Sequence, residues 1–329
     1  MRALVYSAPD EAAVVDTLDP AFGETDCLVR MRRVGICHSD FDLLAGKYIL
    51  PIEYPIIPGH EWTGEIVAVG AAVTGFAVGD RVVGECSVAD DQHFGFTIDG
   101  AIADLVRVPQ AWLHKLPDSI DDTMGALVEP FTVAYGATDE IDGSDDVVVF
   151  GGGPIGLCAV ASAHAKGGRV ILVEPDAARR EIGLSLGADV VVDPIGIDVV
   201  ARILELTDGR GASRIVEATG RPAVMAQTLE AAAYGAYITN IGINVGDEHP
   251  ARLGLIVEKM LRIRGQVGSV GVWPQAIKFL GHTGIDLTPL VSQVFPLDEA
   301  LTALAESSKR DVNIKIHIRP NDGADATWT

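Results

Sequence analysis

The chain has 329 residues, 48% of them hydrophobic, with 36 glycines and 17 prolines: enough for two domains with separate cores and too apolar for a disordered chain. Its formal charge of -21 excludes nucleic acid and anionic membranes as partners unless a basic patch stands out, and the sequence shows none. Cys27, Cys37, Cys86 and Cys158 lie too far apart for a disulfide framework, no apolar run is long enough to span a membrane and no cleavage pattern follows the start, so a cytoplasmic protein without a signal peptide is expected.

From the amino end to about residue 130, short apolar runs at 3–6, 27–34, 64–69, 81–84 and 101–108 are separated by glycine, proline and acidic turns, the pattern of a strand-rich domain. Between the second and third runs lie Gly35-Ile36-Cys37-His38-Ser39-Asp40 and Pro58-Gly59-His60-Glu61. A thiolate, an imidazole and a carboxylate make a usual donor set for a catalytic zinc that keeps one coordination position open. Each residue also has a plain structural use, since cysteines are often simply buried and His60 or Glu61 can be core or surface groups. Glu129 adds weight to the metal reading, because it is the only carboxylate in the apolar run 126–136 and a cation would relieve much of the cost of burying it.

From about residue 137 the rhythm changes to strand, helix, strand. A buried-strand run at 146–150 leads into Gly151, Gly153 and Gly156 and an alanine-rich helix; further strands are expected at 169–173, 189–192, 214–217 and 236–240, with helices between them. Such alternation is α/β, a doubly wound and mostly parallel sheet covered on both faces. The glycines lie after a strand and before a helix, where a helix amino end receives a pyrophosphate. Glu174, at the end of the next strand, can accept both adenosine ribose hydroxyls and repel a ribose phosphate, which favours NAD over NADP. Arg179 and Arg180 are either solvated helix charges or partial offsets to Glu174. Beyond Gly265, helices are expected at 273–280 and 297–307, a last strand at 312–318 and a loose tail at 321–329.

Together with Gly79-Asp80-Arg81-Val82, these stretches resemble the zinc-dependent medium-chain dehydrogenases over nearly the whole chain, in particular the sorbitol and polyol dehydrogenase branch. Gly59-His60-Glu61-Trp62 and Val173-Glu174-Pro175 resemble the wording of aminocyclitol dehydrogenases within it. The resemblance implies a GroES-like catalytic domain at 1–136, a Rossmann domain at 137–268 and a return segment at 269–329 that completes the first. It implies one catalytic zinc held by Cys37, His60 and Glu61 or Glu129, with Asp40 orienting the histidine. Many relatives insert a lobe with four cysteines near 85–93 for a second zinc; here only Cys86 is present, with His93 as an accidental companion, so no structural zinc is expected.

The implied chemistry is hydride transfer from an alcohol carbon to NAD, with zinc as Lewis acid. Ser39 matches the hydroxyl that starts the proton relay, or it merely caps local backbone. Asp42 stands where many relatives have the relay's histidine, which leaves water, the cofactor ribose or Asp42 itself as the outward path. Arg179 matches a residue along the adenine and Lys315 one near the pyrophosphate, unless Lys315 is an exposed edge lysine. Phe41, Tyr48, Trp62 and Phe94 are pocket candidates that could equally be core aromatics. The branch implies a small polyhydroxylated or aminocyclitol substrate and a homodimer or homotetramer. Rival readings are a primary-alcohol dehydrogenase or aldehyde reductase using the same site, and a nonenzymatic NAD-binding protein.

Overall fold

The computed structural model describes residues 1–48, 50–89, 92–269 and 271–321. These fall into two units, one made of Met1–Glu129, Trp273–His282 and Val291–Thr329, the other of Pro130–Val272 and Thr283–Leu290. The expected tail lies outside the described residues beyond Asn321, as do Asp90 and Asp91 of the segment 85–93.

The first unit is strand-rich, as its short alternating runs predict. Its central strand is β1 (Asp26–Gly35), which sends Cys27, Val29 and Met31 into the core at alternate positions and, after a register shift, Val34. A seven-residue helix, α1 (His38–Leu44), follows at once. Strand β2 (Glu61–Val69) pairs antiparallel with β1, placing Glu61 opposite Gly35, and carries β3 (Arg81–Gly84) on its other side. Leu105–Pro109 and Lys315–Arg319 pair with the two ends of β1, so the last described strand closes onto the start of α1. Trp62 and Phe94 are 2% and 1% exposed with ring centroids 5.7 Å apart, so both are core residues.

The run at 101–108 is a strand only from Leu105. Its first residues hydrogen-bond elsewhere: Ala101 N–H donates to the Gly59 carbonyl at 2.8 Å and Ile102 N–H to that of Pro58 at 3.0 Å. These bonds pin the turn before His60. Gly59 has φ of +98°, and a Cβ there would stand 2.6 Å from the Ile102 side chain, so no other residue makes that turn without strain.

The second unit starts within a helix, α2 (Val128–Ala137), whose mostly apolar sequence gives only a weak helical period. Its sheet holds, among the described residues, β4 (Asp146–Phe150), β5 (Arg169–Val173), β6 (Val190–Val192), β7 (Ala212–Glu217), β8 (Ala232–Asn240) and β9 (Arg262–Gly265). They are parallel in the order β6-β5-β4-β7-β8-β9, the doubly wound arrangement. Val147, Val148 and Val149 are fully buried, which explains why β4 reads as a continuous apolar run. Helix α3 (Pro154–Ala165) begins with proline at its first turn, and α4 (Ala177–Ser185) is capped by Asp176, whose side chain accepts from Arg179 N–H at 2.9 Å. Among the described residues no helix is long and apolar enough to cross a membrane.

Candidate active site

Three potential ligand atoms of Cys37, His60 and Glu61 lie within 4.8 Å of one another, and among the described residues they form the one such group. The local fold brings them together. Cys37 is the N-cap of α1, His60 follows the turn at Gly59, and Glu61 opens β2 opposite the end of β1. Asp40, fully buried at the third helical position, reaches back to accept the Cys37 amide at 2.8 Å. Its other oxygen stands 3.7 Å from His60 Nδ1, and neither of these two buried atoms has a protein hydrogen-bond partner. With Nδ1 turned to Asp40, the other ring nitrogen is the one left for the thiol and a metal.

Charge in the pocket is lopsided. Burial by itself would keep His60 neutral, yet its hydrogen bond with the Cys37 side chain and the nearby charges of Cys37, Asp40 and Glu129 lift it to about 10. Burial raises Glu129 to about 7, with Glu61 and Asp40 adding to the effect and His60 and Lys315 opposing it. Asp40 is likewise raised by burial, against the pull of His60 and the Cys37 amide. Glu61 behaves differently: burial would raise it, but Lys315 holds it below the usual carboxylate range.

Lys315, expected at the cofactor pyrophosphate, is 4% exposed and lies 2.8 Å from each carboxylate oxygen of Glu61, with the Ile36 carbonyl at 3.1 Å. Burial works against its charge, and Glu61 restores it, driving the ammonium above its usual range. One thiol and three carboxylates thus crowd around one lysine and one imidazole. A divalent metal fits that imbalance and the donor chemistry. Glu129 stands outside the compact set of Cys37, His60 and Glu61.

Ser39 sits half-buried in the first turn of α1, two residues after Cys37. Phe96, which nothing in the sequence pattern marks, leans on the imidazole of His60 with centroids 4.6 Å apart. Tyr48 stacks on Phe96, with ring centroids 4.4 Å apart. His317 is equally unmarked: it is fully buried near Glu61 and Lys315, and neither ring nitrogen has a partner in the protein.

In the second unit Gly151 has φ of +99°, and a Cβ on Gly156 would collide with the Gly151 carbonyl, so the loop closes tightly onto α3. Glu174 follows β5 and is 6% exposed; it accepts the Gly152 amide at 2.5 Å with one oxygen and the Asp176 amide at 2.9 Å with the other. Arg179 approaches the Gly152 carbonyl at 3.4 Å, whereas Arg180 is committed to the Glu174 and Pro175 carbonyls and to Asp193. A helix amino end, a glycine turn and an oriented carboxylate make a dinucleotide cradle.

Known proteins agree with this geometry. Residues 23–118 match the family described as alcohol dehydrogenase GroES-like domain, and residues 154–282 match the one described as zinc-binding dehydrogenase. The chain is 30% identical to a sorbitol dehydrogenase of Halalkalibacterium halodurans, over 98% of this chain and 100% of that one. It is 31% identical to a scyllo-inosose 3-dehydrogenase of Thermotoga maritima, over 84% of this chain and 81% of that one. The crystal structure of 2R,3R-butanediol dehydrogenase from Bacillus subtilis superposes with a TM-score of 0.88 at 28% identity, covering 97% of this chain and 99% of that one.

Proposed function

The chain belongs to the zinc-dependent medium-chain dehydrogenase family, and on that footing we propose that it oxidises a secondary alcohol of a polyol, sugar or (amino)cyclitol with NAD. A zinc-dependent, NAD-linked oxidoreductase is the broader statement, and the Cys37, His60 and Glu61 cluster is the observation that carries it. The narrower substrate class is supported by relatives whose names specify sorbitol, scyllo-inosose and butanediol.

Zinc, when bound, supplies Lewis acidity to the alcohol oxygen, and NAD supplies the hydride acceptor. The chain's own residues do the rest. Cys37 and His60 hold the metal, with Glu61 or Glu129 as the third ligand, and Asp40 fixes the imidazole so that its metal-facing nitrogen stays unprotonated. Ser39 is the proposed first acceptor of the alcohol proton. Lys315 keeps Glu61 ionised, and whatever hydrogen it has left over from Glu61 and Ile36 is the one proposed for the pyrophosphate. Gly151, Gly153 and Gly156 let the pyrophosphate approach the start of α3, Glu174 takes the adenosine ribose and Arg179 lies along the adenine. We also place the protein in the cytoplasm as a homodimer or homotetramer with one zinc per chain.

The test is an NAD-linked screen of the zinc-loaded protein across polyols, aldoses, inositols, aminocyclitols and simple primary alcohols. Secondary-alcohol polyols should lead. Equal or better turnover of ethanol or benzyl alcohol points to the primary-alcohol reading, and zinc-loaded protein that binds NAD but turns over none of them ends the enzymatic one.

A further inference from the structure

Two tyrosines follow α1, and their hydroxyls are used differently. That of Tyr54 donates to the Leu43 carbonyl at 2.5 Å and holds the segment in place. Tyr48 has no such task. Its ring lies flat on Phe96, with centroids 4.4 Å apart and planes inclined by 7°, and Phe96, 3% exposed, leans on His60 at 4.6 Å. The stack ties the phenol ring to the metal-binding imidazole through one intervening aromatic plane. Tyr48 is half-buried, and among the described residues its oxygen makes no hydrogen bond to the protein. A rigidly mounted phenol whose oxygen is left over beside a metal pocket is a group waiting for a polar partner.

We propose that the Tyr48 hydroxyl hydrogen-bonds a substrate hydroxyl other than the one being oxidised, which makes Tyr48 a specificity residue for polyhydroxylated substrates. The proposal rests on the polyol reading above and deepens it. Burial, followed by the nearby charges of Cys86, Cys37, Asp40 and Glu129, holds the phenol's pKa well above its usual range, so it keeps its proton at neutral pH. It therefore both donates and accepts, which matches an alcohol better than an anion. The ring stack makes the contact cheap in conformational entropy, since Tyr48 has little rotamer freedom left to lose on binding.

The experiment pairs Tyr48→Phe, which keeps the ring and the stack, with analogues of the best polyol that each lack one non-reacting hydroxyl. In the unaltered holoenzyme, loss of the contacted hydroxyl should lower kcat/KM by roughly tenfold, the worth of one neutral hydrogen bond. In Tyr48→Phe that same loss should cost almost nothing further, so the coupling appears as a tenfold closing of the cycle. The polyol's Kd for the holoenzyme saturated with NADH, measured by titration calorimetry, should rise by a similar factor in the variant. Should every deoxy analogue lose the same factor in both proteins, Tyr48 only shapes the pocket and the proposal falls while the polyol reading survives. An unaltered protein that turns over no polyol overturns both.

Discussion

Replacing Glu174 by alanine should collapse the choice between the two nicotinamide dinucleotides. In the folded chain each oxygen of this carboxylate already accepts one backbone amide, Gly152 at 2.5 Å and Asp176 at 2.9 Å. A carboxylate has about four lone-pair sites, so roughly two remain, aimed by those bonds. They suit the paired hydroxyls of the NAD ribose. NADP brings a phosphate to the same place, setting like charges together at a residue only 6% exposed. If the difference is worth about 2 to 3 kcal/mol, NAD should be preferred roughly 30-fold to more than 100-fold in kcat/KM. Arg180, the nearer threat to this discrimination, is held on backbone carbonyls and Asp193. The assay is kcat/KM for both cofactors with one accepted alcohol, in the unaltered protein, in Glu174→Ala and in Glu174→Gln. The glutamine variant retains the side-chain volume but offers an amide donor to phosphate, so it should favour NADP more than the alanine variant does. Equal use of NAD and NADP by the unaltered protein, or a ratio that Glu174→Ala leaves untouched, refutes the reasoning.

Three further outcomes follow from the metal pocket. Freshly prepared protein should contain one zinc per chain, and Cys37→Ser should lose most of it along with turnover while binding NAD as before; two tightly held zincs per chain contradict this by metal analysis. Asp40→Asn should weaken zinc roughly 10-fold to 100-fold in a chelator competition, because the amide can turn its N–H toward His60 Nδ1 and push the ring proton onto the ligating nitrogen. Unchanged affinity would show that Asp40 serves the helix alone. His317 is held neutral chiefly by burial, its pKa falling from 6.5 to about 3. The unfolded chain then binds the extra proton first, so stability is whole above pH 6.5 and is lost as pH falls toward 3, by about 2 kcal/mol at pH 5. Urea unfolding of metal-stripped protein at pH 7 and pH 5 measures the loss, and His317→Phe should remove most of it; an equally steep acid limb in that variant assigns the effect to other groups.

How much of this was legible beforehand depended on whether a signal was local. The strand at Asp146–Phe150, its glycine turn and the following strand at Arg169–Val173 are continuous patterns whose bounds in the sequence and in the fold coincide. Cys37, His60 and Glu61 were legible because two short strings carry them. Helix α1 was not, since seven residues give less than two full helical periods, and α2 was not, since a mostly apolar sequence gives only a weak helical period. The segment 101–104 looked like strand by composition but spends its amides on the turn at Pro58 and Gly59. Lys315 and Phe96 reach His60 or Glu61 only through long-range packing, a kind of information that no window of sequence contains.

Cys37 is at once the first residue of the metal set and the residue on which α1 starts. A helix of seven residues has too few internal bonds to repay its own nucleation, so it stands only because something outside it fixes its first turn. Asp40 does so from within, tying the Cys37 amide to the side that faces His60. With the proposed zinc bound through Cys37, metal occupancy and the order of residues 38–44 would be two readings of one equilibrium: whatever stripped the ion would loosen the helix, and whatever frayed the helix would release the ion.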